Sequence, residues 1–69
     1  MDLTNKILKH NNGDVIKPVK RLHGFNNKET EFYSCTIIKD FGEELDEYIF
    51  PIDKLHLMII FKEVTIEED

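Results

Sequence analysis

The stretch EFYSCTIIKDFGEELDEYIF, residues 31–50, decides how this chain folds. In its first half Tyr33, Cys35 and Ile37 alternate with Ser34 and Thr36, the period of two that marks a β-strand with one face against a core. Phe32 and Ile38 make the opposite face apolar at both ends, so some cover is expected there as well. Phe41-Gly42-Glu43-Glu44 reads as a turn, and Glu47 to Phe50 as a returning strand with Tyr48 and Phe50 on one side. Together these elements predict an antiparallel hairpin with a long acidic tip.

Upstream, Asp14 to His23 reads as an extended segment anchored by Val15, Ile16, Val19 and Leu22. Pro18 has no N–H to give a ladder, which places it at an edge, a bend or a bulge. Gly24 and Asn26-Asn27-Lys28 form a polar loop. Residues 1–12 admit two readings. One is a short helix from Asp2 to His10, capped by Asp2 or Thr4, with Leu3, Ile7 and Leu8 on one side and a stop at Asn11-Asn12-Gly13. The other is a first strand over Lys6 to Lys9.

Downstream, Pro51 to Leu55 suits a single helical turn, since proline is tolerated at a first helical position. His56 to Ile66 then reads as a last strand, apolar on both faces: Leu57, Ile59 and Phe61 alternate with Met58, Ile60, Val64 and Ile66. Such a strand must be covered twice. Its surplus apolar surface predicts strand pairing with a second copy or with a partner at Met58, Ile60 and Val64, unless Leu3, Ile7 and Leu8 cover the second face.

Composition agrees with a strand-rich chain. Isoleucine is abundant and alanine, the best helix former, is absent, so the apolar set suits a pleated surface. With no internal repeat or long linker, the 69 residues read as one domain, with a β-rich core over 14–66 and an acidic tail over 67–69. The single Cys35 makes no intrachain disulfide, and no signal-peptide pattern or apolar run of membrane-spanning length occurs, so a cytoplasmic protein off the membrane is expected. Lys outnumbers Arg eight to one, the usage of an AT-rich genome such as that of a low-GC bacterium or its phages.

Residues 31–58 carry a resemblance as well. The strand with Tyr33, Cys35 and Ile37, then Asp40, Gly42, the short strand Tyr48-Ile49-Phe50, and Pro51-Ile52-Asp53-Lys54-Leu55 before Leu57 resemble the C-terminal half of SH3-like small β-barrels. In that group a proline opens a 3₁₀ turn into the final strand, and the barrel is often a binding module. The resemblance covers fewer than half the residues. This chain has no Trp and no Ala-Leu-Tyr-Asp-Tyr motif, so the resemblance implies a fold and not a polyproline groove. The fold class is thus mainly β: a small SH3-like barrel or a strongly bent antiparallel sheet, with a short N-terminal helix as the variant.

Chemistry-bearing residues are sparse. His10, His23, His56 and Cys35 are the soft metal ligands, and no pair has the spacing that sets two on one turn or face, so no metal or other cofactor is expected. Cys35 lies on the more apolar face of its strand, where burial raises a thiol pKa and removes access. None of the three glycines belongs to a phosphate-binding or nucleophile-elbow motif. No enzyme activity is expected.

Charge is the more informative feature. The net charge is −5, yet residues 1–30 hold six basic against three acidic residues, and residues 31–69 hold three against eleven. Either the halves pack together and partly neutralise one another, or the acids form a working face. Glu43, Glu44, Asp46 and Glu47 are the candidates for contact with a basic surface of a host protein. In charge and size the chain is similar to small acidic proteins that phages deploy against host nucleases and repair enzymes. The primary expectation is accordingly a non-enzymatic protein-interaction module, phage- or mobile-element-encoded, that binds or inhibits a host protein through an acidic face and a sheet edge. The alternative is a nucleic-acid-binding barrel that uses Lys17, Lys20 and Arg21, near His23 and Lys28 in sequence, with Phe25 or Tyr33 as a stacking surface.

Overall fold

The computed structural model describes residues 2–23 and 31–67. They form one antiparallel sheet of five strands and one helix, in the order β1 (Ile7–His10), β2 (Val15–His23), β3 (Glu31–Ile38), β4 (Glu44–Pro51), α1 (Ile52–Ile60) and β5 (Val64–Glu67). Across the sheet the order is β4-β3-β2-β1-β5, so β4 and β5 are the two edges. The fold is mainly β, as the sequence predicts, and the sheet is open; no barrel closes.

The inner face follows the predicted alternation. Tyr33, Cys35 and Ile37 are buried on β3, with Ile16 beside Ile37, Pro18 beside Cys35 and Phe50 beside Tyr33. Leu8 continues the row past Ile16, and Leu3 is fully buried against the same core. The N-terminal segment thus resolves to a strand, not a helix: Ile7–His10 pairs with both β2 and β5, and its backbone groups gain partners on two sides. The expected polar loop at Gly24 and Asn26 to Lys28, the stacking candidate Phe25, and the end of the acidic tail at Glu68 and Asp69 lie outside the described residues.

Pro18 stands in a central strand, which its missing N–H would ordinarily forbid. The register with β3 shifts between Pro18 and Lys20, so Val19 bulges out. On its other side β1 pairs with β2 only at Ile16 and Val15, and the Pro18 carbonyl accepts from the Asn5 N–H at 2.9 Å. The proline sits where the ladder is already interrupted.

The largest correction concerns the last third of the chain. Residues 52–60 form a helix and not one turn followed by a long strand. Pro51 opens it, and Ile52, Leu55 and Met58 are buried at helical spacing while Ile59 packs beside them. Residues 57–61 are all apolar, so periodicity in that run fits a strand and a helix equally. The helix packs on β3, β4 and β5, covering the inner face between the two edges. At its end Lys62 takes a left-handed φ of 61°, and the chain turns into the short strand β5. Among the described residues no helix is long and apolar enough to cross a membrane.

Candidate binding surfaces

Three of the four predicted acids, Glu44, Asp46 and Glu47, lie on the edge strand β4, and Glu43 closes the short turn that leads into it. Gly42, at a φ of 94°, lets the chain reverse within a few residues: the Lys39 N–H bonds the Glu43 carbonyl at 2.7 Å, and the Gly42 N–H bonds the Lys39 carbonyl at 2.8 Å. Pairing resumes at once with Glu44 opposite Ile38 and Leu45 opposite Ile37. A bulge follows, in which Glu47 adopts a φ of 57° and Cys35 pairs with Tyr48. Glu43, Glu44, Asp46 and Glu47 are all exposed, and none has a cation within ion-pair distance among the described residues. Asp46 accepts a hydrogen bond from the Thr36 hydroxyl at 3.2 Å, which fixes its carboxylate on the outer face. Tyr48 and Ile49, each 46% exposed, add apolar surface to the same strand.

The basic cluster is divided by the fold. Lys17 and Lys20 pair with Thr36 and Ser34 and so share the outer face, whereas Arg21 pairs with Tyr33 and belongs to the inner one. There its guanidinium donates to Glu31, whose other carboxylate oxygen lies 3.5 Å from His23 Nδ1. Only two of the three cations remain together. On the outer face β3 lies between the lysines of β2 and Glu44 and Asp46 of β4, and no ion pair joins the two sets among the described residues.

Of the three residues expected at a pairing edge, Met58 and Val64 are buried in the protein's own core, and only Ile60 is exposed. The helical geometry explains the change: Met58 faces the sheet beside Leu55, while Ile60 is on the opposite side. The same geometry exposes two residues that strand periodicity did not select. Leu57, Ile60 and Phe61 are 51%, 68% and 70% exposed and, at spacings of three and four residues, form one apolar row on the outer side of α1. That spacing is present in the sequence and becomes informative once the helix is known.

A cleft of about 290 Å³ opens on the inner face, between α1 and the turns at one end of the sheet. Phe50 and Tyr48, with ring centroids 4.9 Å apart, form one wall, and the Lys54 ammonium lies 5.7 Å from the Phe50 centroid. Lys39 on its rim is already paired with Asp14 at 3.4 Å. The four soft metal ligands do not converge. His10 Nδ1 accepts from the Asn12 N–H at 3.1 Å, His23 sits by Glu31 at the other end of the sheet, His56 is on α1, and Cys35 is inside the core. Burial pushes the Cys35 thiol up to about 11, so it carries little thiolate near neutral pH. Among the described residues no three His, Cys, Asp or Glu side chains come together as a metal-ligand set. Compared with protein-family models, with curated proteins and with solved structures, the chain matches none.

Proposed function

We propose that this chain is a non-enzymatic protein-interaction module that binds a basic surface of a host protein through the edge strand β4. The observation that carries the reading is the set of exposed carboxylates at Glu43, Glu44, Asp46 and Glu47, none with a cation partner among the described residues, with the exposed Ile49 next along the strand on the outer face. Like-signed carboxylates steer a basic partner over distance, and the exposed Ile49 adds apolar contact on the outer face. Binding by strand addition is a poorer fit, because the bulge at Glu47 and the charges of β4 blunt that edge and β5 is only four residues long. Contact runs through side chains instead.

Two features support the wider frame. Five antiparallel strands with a Pro51-led helical segment before the last one favour kinship with SH3-like small barrels, here opened at the edges. Small size and a net charge of −5 favour a phage- or mobile-element-encoded inhibitor working in the host cytoplasm. The nucleic-acid alternative retains Lys17 and Lys20 without Arg21, a weaker phosphate-binding set.

Immobilised protein is expected to retain one stoichiometric partner from host lysate. Reversal of three acids, Glu43→Lys, Glu44→Lys and Asp46→Lys, is expected to lower retention by about tenfold or more while leaving the circular dichroism spectrum intact. Equal retention by the reversed protein would remove β4 from the interface.

A further inference from the structure

Among the described residues no element covers the outer face of the sheet, since α1 packs on the inner one. That face is mixed in character. Val15, Leu22, Phe32 and Ile38 are half-buried there, Ile49 is 46% exposed, and Lys17, Lys20, Glu44 and Asp46 stand in solvent. None of these four charges is in an ion pair among the described residues. Register fixes where they lie. Lys17 pairs with Thr36, whose hydroxyl bonds Asp46 on the other side, so the three share one row across β2, β3 and β4. Lys20, Ser34 and Ile49 form the next outer-face row in one direction, and Val15, Ile38 and Glu44 the next in the other.

Two copies can stack their outer faces about a two-fold axis in two ways. With the axis across the strands, β2 lies over β2 and β4 over β4, which sets lysines against lysines and acids against acids. With the axis along β3, each row keeps its own height and β2 of one copy lies over β4 of the other. Lys17 then meets the partner's Asp46, the partner's Glu44 lies one row away, and Lys20 covers the partner's Ile49, with each contact made twice. Phe32 and Ile38 meet their own copies on the axis. We propose that the outer face is a self-association surface, pairing two copies about an axis along β3 into a sandwich of two sheets. The roughly 30° at which aligned sheets stack keeps the matched rows within side-chain reach. Because β4 is an edge strand, the ion pairs lie towards the rim and stay hydrated, so the dimer is weak and sensitive to salt. Glu44 and Asp46 are also offered to a basic partner, so self-pairing masks them until that partner displaces the second copy. This consequence rests on the function proposed above, whereas the pairing itself does not.

Sedimentation of the purified chain across a dilution series from about 1 mM downwards is the test. A monomer–dimer equilibrium is expected, weaker at high salt. Ile49→Lys, at an exposed position where circular dichroism checks folding, should abolish it by setting a lysine against the partner's Lys20, and Ile60→Asp on α1 should leave it unchanged. Lys17→Asp alone and Asp46→Lys alone should each weaken association about tenfold, since each places like charges opposite one another twice. The double variant should restore it. A monomer throughout, a dimer that survives Ile49→Lys or is lost with Ile60→Asp, or a double variant no better than the singles each overturns the proposal. So does a purified monomer that captures a lysate protein through Lys17 and Ile49. With no other protein present in the sedimentation experiment, its failure leaves the acidic-edge reading standing, and failure of that reading in lysate leaves the pairing standing.

Discussion

Asp14 ties together the two turns at one end of the sheet. Its Oδ1 accepts from the Asp40 N–H at 3.0 Å, and its Oδ2 meets Lys39 Nζ at 3.4 Å and Asn12 Nδ2 at 3.3 Å. The Asp40 N–H in the first place, and Lys39 after it, hold the carboxyl below its ordinary value of 3.8. A depressed pKa stabilises the fold above the ordinary value and is lost as pH falls through the folded one. The melting temperature should therefore drop as pH is lowered below about 3.8, and less so for Asp14→Asn, which keeps an acceptor and loses the titration. Melting curves between pH 6 and pH 2.5 (roughly the window that matters) check this. Tyr33 does the equivalent work inside the core. Its hydroxyl accepts from the Leu3 N–H at 2.9 Å and donates to Asp2 Oδ1 at 3.2 Å. Tyr33→Phe leaves a buried N–H without a partner and should cost about 1–3 kcal/mol in denaturant unfolding. The burial of Tyr33 and Cys35 was legible in the sequence, because alternation alone locates them. The Asp14 and Tyr33 contacts were not, since each joins residues distant in the chain through a topology that local pattern does not encode.

Among the elements, β3 and its hairpin with β4 follow from residues 31–50, whereas the bulge that shifts their register between Cys35 and Ile37 does not follow from the alternation. Glu44, Asp46 and Glu47 fall on the strand and not on a long tip because Gly42 closes the turn tightly and Leu45 finds Ile37 directly afterwards. The segment after Pro51 was misread for a different reason: a continuous apolar run satisfies every period, and β-branched Ile52, Ile59 and Ile60 weigh towards a strand. Tertiary packing of Ile52, Leu55 and Met58 against the sheet outweighs that propensity. The helix makes a prediction that a strand does not. Leu55 is fully buried and Leu57 half exposed, so Leu55→Ala should destabilise by about 2–5 kcal/mol. Leu57→Ala should change stability by about 0.5 kcal/mol or less. Comparable losses at both positions would be the signature of a different packing for α1.

For the molecule as a whole, the fold turns a charge asymmetry along the chain into one across a sheet. Lysines of β2 and acids of β4 flank β3 on the outer face, and no ion pair joins them among the described residues. The acids end on an edge strand whose backbone is blunted by a bulge, and the helix closes the inner face while keeping Leu57, Ile60 and Phe61 in solvent. Interaction through side chains, with the acidic edge as the steering element, is the account these features support. Its most direct test is the ionic-strength dependence of partner affinity for the native chain and for an isosteric variant carrying Glu43→Gln, Glu44→Gln and Asp46→Asn. The native affinity should fall steeply between about 50 and 500 mM salt while the variant binds weakly with a shallow dependence. Equal affinity and equal slope for both proteins would contradict the account.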